Sequence, residues 1–204
     1  MDKAHKPTYT WYYWTGKTFD KVDRKQLFIS TERMRLDQKL IKLTKSLYRD
    51  TKCCVGIDGY TSDWLPQSTG IGQECPLSPY LFLLVMTTML HDVHQVKDRQ
   101  LIRHRVSGAD FDEVTYADDT ICISTDTMAM NKFLEAIEWE GFRYGLKLNT
   151  KKCELITTHP NANIHFKEKS KVIKVKSATY LRCNLGIKST SKEELSKRFS
   201  NTMA

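Results

Sequence analysis

Residues 114–123 constrain this chain more than any other segment. Val114, Tyr116, Ile121 and Ile123 keep even spacing on either side of Ala117, Asp118 and Asp119, the pattern of two strands joined by a tight turn. Two acids then stand side by side at the tip of a hairpin. Adjacent carboxylates repel unless a proton or a cation compensates, so the pair calls for a divalent metal or a raised pKa. With neither histidine nor cysteine beside them, these hard oxygen donors favour Mg²⁺ or Mn²⁺ over zinc. A solvated Asp-Asp turn is the alternative reading.

The flanks suggest what the hairpin packs with. Ser78 and Pro79 give a helix start, cap then first-turn proline, and the YLFLLVMTTML run after them is apolar on almost every side, which predicts a buried helix. After the hairpin, Met130, Phe133, Leu134, Ile137 and Phe142 recur at helical spacing and Gly145 is placed to cap that helix. Trp11, Tyr12, Tyr13 and Trp14, followed by Thr15 and Gly16, read as a short strand entering a turn. Residues 23–48 suit one or two amphipathic helices, and 54–57 a strand ending at an Asp58-Gly59 turn. Short β-like runs return at 155–157, 164–166, 172–175 and 180–185. Antiparallel strands with segregated helices make an α+β chain.

The chain has 204 residues, enough for one domain, and its 40% hydrophobic and 27% charged composition excludes disordered, collagenous and coiled-coil classes. The net charge of +8 is unevenly placed: residues 1–150 carry 20 basic and 20 acidic side chains, residues 151–204 carry 12 and 4. A basic C-terminal quarter on a neutral body suggests a polyanion partner for that quarter. The run Lys167, Lys169, Lys171, Lys174 and Lys176 carries much of it, as nucleic-acid backbone contact or as a solvated hairpin. Six cysteines without a CxxC pair read as free buried thiols in a reducing compartment. No apolar stretch is long enough for a membrane span and the N-terminus lacks a signal-peptide pattern. An intracellular protein of cytoplasm or nucleus, neither secreted nor in a membrane, is expected.

Three segments, GIGQECPLSPYLF at 70–82, YADD at 116–119 and GLKLNTKKCELI at 145–156, resemble in order and spacing the reverse transcriptase of non-LTR (LINE-type) retrotransposons. TFDKVDR at 18–24, SLY at 46–48 and YLRCNLG at 180–186 extend the resemblance over nearly the whole chain. It implies a reverse transcriptase-like palm across residues 1–204, an antiparallel sheet with helices packed on one face. Fingers, most of the thumb and any endonuclease are expected in other segments of a longer polyprotein, and the palm alone is expected to expose apolar surface and be marginally stable.

The resemblance also implies roles. Asp118 and Asp119 would be the catalytic acids and metal ligands of a two-metal nucleotidyl transfer, with Mg²⁺ or Mn²⁺ as cofactor. Partners would be an RNA template, a DNA primer and deoxynucleoside triphosphates. Phe19 falls at the family's steric filter for the sugar 2′ position, or is a core aromatic. Lys152 best matches the lysine offered to the leaving pyrophosphate, or is a solvated lysine. Gln73, Pro76 and Ser78 match the segment touching template and incoming base, and Leu77 there reads as core. Tyr116 belongs to the same substrate-binding set through the YADD box.

Departures from the family pattern are equally specific. In its first metal motif, LDxxKAFD, the first aspartate falls here on Trp14, whose indole cannot ligate Mg²⁺, and Asp20 matches only the second acid. The RQG of the family reads Gly72-Gln73-Glu74, the glycine of YLGC is Arg182, and Arg35 stands where relatives often have a helix-ending glycine. Reduced metal affinity and lost activity in this chain are therefore expected. A noncatalytic remnant that binds nucleic acid through its basic C-terminal quarter is the alternative.

Overall fold

A computed structural model describes residues 8–13, 18–72, 75–95, 113–181 and 183–186. They fall into two compact units.

The first unit is built on the expected hairpin. β6 (Glu113–Tyr116) and β7 (Asp119–Ser124) pair antiparallel with Tyr116 opposite Asp119, and Ala117 between them takes a φ of +53°. The aromatic segment supplies β1 (Thr8–Tyr13), the middle strand of a five-stranded sheet ordered β6-β7-β1-β8-β9. β1 runs antiparallel to β7, Tyr13 against Asp119, and to β8 (Glu154–Thr157), Trp11 against Glu154.

The sheet is not wholly antiparallel, as expected from the sequence, because β9 (Ile173–Lys174) lies parallel to β8. Residues 158–172 separate the two strands, enough chain for the crossover that parallel pairing requires. β10 (Ser177–Tyr180) and β11 (Cys183–Gly186) form a second hairpin. Ile121, Ile156, Ala178 and Tyr180 pack into one buried cluster flanked by Ile123 and Val175. Each of the two isoleucines contributes roughly 1.5–3 kcal/mol if fully withdrawn from water.

The expected strand at 164–166 shrinks to a single bridge between His165 and Lys171. The His165 N–H is taken by Asn131 Oδ1 at 2.8 Å, while Asn131 Nδ2 donates to the Asn163 carbonyl at 3.0 Å. Asn131 lies on α5 (Thr127–Arg143), which starts where Asp126 accepts a hydrogen bond from the Ala129 N–H at 2.7 Å.

The second unit contains α1 (Thr18–Lys21), α2 (Arg24–Arg33), α3 (Gln38–Leu47), α4 (Ser78–Gln95) and the C-terminal end of α5. Residues 23–48 thus form two helices, capped by Asp23 on Gln26 N–H and Asp37 on Lys39 N–H. Between them, Arg35 N–H donates to the Glu32 carbonyl and Leu36 N–H to the Thr31 carbonyl, a Schellman ending with Arg35 at a φ of +56°. α5 ends the same way, Gly145 N–H on Phe142 and Leu146 N–H on Gly141, with Gly145 at +78° as its sequence position predicts.

Phe142 is exposed, against the expected stripe, since five residues beyond Ile137 at 3.6 residues per turn lie well round the helix. Tyr144, seven residues on, returns to that face and is 1% exposed.

α4 is buried on one side only. Leu81, Phe82, Val85, Met86, Met89 and Val93 face inward, whereas Tyr80, Leu83, Thr87 and His91 form an exposed stripe. The helix starts at Ser78, whose hydroxyl donates back to the Gly72 carbonyl. The strand expected at 54–57 shortens to β3 (Gly56–Ile57), paired with β4 (Tyr60–Thr61). Asp58 and Gly59, at φ +49° and +84°, make the left-handed turn that an Asp-Gly pair favours. Outside this hairpin, β2 (Lys52–Cys53) pairs with β5 (Leu65–Pro66).

One buried arginine ties these segments together. Arg24 Nε donates to the Gly70 carbonyl at 2.9 Å, and its Nη1 reaches Thr51 Oγ1 and the carbonyls of Tyr48 and Gln67. Burial lowers its pKa, yet these acceptors and the Tyr48 ring, 5.0 Å away, compensate the charge. Among the described residues, which include all six cysteines, no disulfide forms, and only Cys122 and Cys153 are buried. The others reach the surface, contrary to the expectation of buried thiols.

Candidate active site

The acids sit where the hairpin turns. Asp118 is the second turn residue and Asp119 the first residue of β7; both are half-buried, and Thr120 after them is buried. Asp119 is held between Tyr116 of β6 and Tyr13 of β1 in the sheet register. Burial pushes its carboxyl above the usual range, the neighbouring charge of Asp118 adds to this, and Lys152 pulls it back. The charge frustration expected from the dipeptide is therefore present at Asp119.

Lys152 stands in the turn before β8, where its N–H donates to the Asn149 carbonyl at 2.9 Å, and its side chain is exposed. Asp118, Asp119 and Lys152 are thus brought together in the first unit, with Tyr116 exposed on the adjoining strand. A further group was not singled out from the sequence. Tyr180, at the end of β10, is 8% exposed and its hydroxyl has no hydrogen-bond partner. Burial and then the charge of Asp119 raise its pKa. Its place at the head of YLRCNLG was the available signal.

Phe19, Pro76 and Ser78 belong to the second unit. Phe19 is half-buried and stacks on Phe82, ring centroids 4.7 Å apart and planes 19° from parallel. Pro76 is exposed, Leu77 half-buried, and Ser78 fully buried. The Ile71 N–H donates to the Phe19 carbonyl at 2.8 Å and Gly70 N–H to that of Val22, lacing the 70–72 segment to α1. At Gly70 a Cβ would lie 2.6 Å from the Asp20 carbonyl oxygen, so only glycine permits that approach. Trp14, Gln73, Glu74 and Arg182 lie outside the described residues.

Two adjacent carboxylates, one held toward its protonated form by burial and then by its neighbour, are a donor set that a hard divalent cation relieves. The pair fits such an ion. Among the described residues no cluster of three metal-binding side chains occurs. Nor is any helix among them long and apolar enough to cross a membrane.

Comparison with known proteins agrees with this arrangement. The sequence pattern of the family described as reverse transcriptase (RNA-dependent DNA polymerase) matches residues 5–185. Similar proteins include the Pol polyprotein of the type-1 retrotransposable element R2 of Nasonia vitripennis, 23% identical over 79% of this chain and 15% of that protein. The RNA-directed DNA polymerase of the mobile element jockey of Drosophila melanogaster is 25% identical over 69% and 15%, and the transposon TX1 149 kDa protein of Xenopus laevis 25% over 67% and 10%. The chain spans about a tenth to a seventh of these relatives' length. Among solved structures, telomerase from Candida albicans, in complex with a fragment of telomeric RNA, matches with a TM-score of 0.64 at 13% identity over 89% of this chain and 30% of that one. Apo telomerase from Candida tropicalis gives 0.63 at 14% identity, over 88% and 31%. At such identities the likeness concerns the fold. The match over residues 5–185, carried by a sheet with the YADD acids at its hairpin turn, makes the chain a member of the reverse transcriptase family.

Proposed function

We propose that this chain is the palm of an RNA-directed DNA polymerase of the non-LTR retrotransposon type, with Asp118 and Asp119 as its divalent-cation ligands. The observation that carries the reading is the half-buried acid pair at the β6–β7 turn, with Lys152 close enough to oppose its charge. Bound Mg²⁺ or Mn²⁺ would supply charge neutralisation at the primer 3′-hydroxyl and the triphosphate. The chain's own residues do the rest: the sheet fixes the two carboxylates, Lys152 offers a proton-bearing cation to the leaving pyrophosphate, and Phe19 limits the space at the sugar 2′ position. By the family resemblance Tyr116, Gln73 and Pro76 are assigned to template and incoming nucleotide, whereas Ser78 is buried and would act through its hydroxyl on the Gly72 carbonyl.

Trp14 weakens that machinery. An anionic ligand absent beside a dication forfeits about 4 kcal/mol per unit of cation charge at contact distance with an effective dielectric of about 20. At tenfold per ~1.4 kcal/mol this is a rate loss of about a thousandfold or more, with lower cation affinity. Mg²⁺-dependent primer extension on an RNA template tests the reading. Slow extension abolished by Asp118→Ala is expected; extension indifferent to that substitution overturns it.

A second reading, nucleic-acid binding without catalysis, is favoured by one observation. Lys167, Lys169, Lys171, Lys174 and Lys176 are all exposed, with Glu168 the one acid among residues 167–176. Phosphate contacts by several lysines make affinity fall steeply with salt, by roughly one power of salt concentration per contact. Salt-dependent binding to an RNA–DNA duplex with no extension under any cation would establish this reading over the first.

A further inference from the structure

We propose that Tyr180 is a positioning residue for Asp119: once a divalent cation draws that carboxylate into place, the phenol hydroxyl, unpartnered without the ion, donates to it and holds it in the orientation the cation needs. The proposal rests on Asp118 and Asp119 being the cation-binding pair.

Two observations meet here. Tyr180 is more than nine-tenths buried, packed with Ile121, Ile156 and Ala178, yet its hydroxyl makes no hydrogen bond. Phenylalanine would fill the same space without leaving a polar atom unsatisfied, so a purely structural role does not account for the hydroxyl. Ile121, which shares the buried cluster with Tyr180, stands two residues beyond Asp119 on β7 and so on the same face of that strand. Because Tyr180 pairs with Cys183 in the β10–β11 hairpin and Ala178 and Tyr180 are both in the buried cluster, the ring is fixed by the fold. A donor fixed in this way suits a carboxylate ligand, whose grip on a metal depends on outer hydrogen bonds that set its orientation.

Mn²⁺ binding to the full chain, measured by calorimetry and by the spin-resonance signal of the free ion, tests the role. Tyr180→Phe is expected to weaken Mn²⁺ binding about three- to tenfold without lowering the melting temperature. Thr158→Val, which removes another buried hydroxyl without a partner, is expected to leave affinity unchanged. Asp119→Asn is expected to abolish binding. Equal Mn²⁺ affinity in Tyr180→Phe and the parent chain would overturn the positioning role alone. A loss shared by Thr158→Val, or tracking a fall in melting temperature, would also overturn it. If Asp119→Asn bound Mn²⁺ as well as the parent, the acid-pair reading would fall and the positioning role with it.

Discussion

Arg33 and Asp92 meet at two points, Nη2 on Oδ1 at 2.5 Å and Nη1 on Oδ2 at 2.8 Å, joining α2 to α4. Tyr144, just past α5, donates its hydroxyl to the same Oδ2 at 2.7 Å and receives a hydrogen bond from Arg33 at 3.1 Å. Three helices of the second unit therefore converge on one carboxylate.

This convergence predicts an acid limb in the stability curve. Burial works to raise the Asp92 carboxyl, but hydrogen bonds from Arg33 and Tyr144 outweigh it and hold the carboxyl below its usual range. A depressed native pKa contributes stability that is full above the unfolded value of about 3.9 and is lost as pH falls through the native one. Asp92→Asn is expected to lose about 1–3 kcal/mol at neutral pH and to flatten the curve below about pH 4. Denaturant unfolding of both proteins as a function of pH is the check; parallel curves would refute the assignment.

Gly145→Ala should destabilise the chain by more than the ordinary cost of a left-handed residue. At φ +78° an added Cβ would sit 2.2 Å from the Lys21 carbonyl oxygen and 2.9 Å from the Asp23 nitrogen, both backbone atoms. The same backbone is used in pairing, since the Asp23 N–H donates to the Tyr144 carbonyl at 2.9 Å. Torsional strain alone costs about 1–2 kcal/mol, and displaced backbone adds to it. A loss below about 1 kcal/mol in equilibrium unfolding would show that the junction yields without strain.

Arg35→Gly should do the opposite. Arg35 occupies the same place in its Schellman ending as Gly145 does in its own, at φ +56°, and its side chain is exposed. The substitution removes a left-handed non-glycine residue, with a gain of about 0.5–1 kcal/mol after the added freedom of the unfolded glycine is subtracted. A raised denaturation midpoint at unchanged slope is the expected result.

These two positions also show how much the sequence disclosed. Gly145 was legible because capping leaves a local signature, and the hairpin at 114–123 because alternation and turn chemistry are local too. At Arg35 the resemblance had marked a glycine position, and the positive φ gives the physical reason. What escaped was set by partners distant in sequence. Asn131 takes the His165 N–H and dissolves an expected strand, Tyr144 rather than Phe142 completes the buried face of α5, and the parallel β8–β9 pair depends on a crossover with no periodicity of its own. At the candidate site, the acids could be named from the hairpin pattern and Lys152 through the resemblance. Tyr180 could not, because its unsatisfied hydroxyl and its nearness to Asp119 exist only once β10 has been packed.

Trp14→Asp is the substitution with the largest expected effect on chemistry. The residue before it, Tyr13, is the Cα partner of Asp119 in the sheet, and the resemblance puts the family's first metal-ligand aspartate at position 14. A carboxylate there would add a third anionic oxygen ligand to two already present, the donor set that hard cations with octahedral preference favour. Restoring about 4 kcal/mol of attraction per unit of cation charge at an effective dielectric of about 20 corresponds to a gain of about a thousandfold or more in primer extension, together with tighter Mn²⁺ binding. The two readouts separate a missing ligand from other limits on extension. If Mn²⁺ binds more tightly while extension stays at background, the missing ligand is not what limits the chain. Neither quantity rising would refute the reading of Trp14 as the first metal-ligand position.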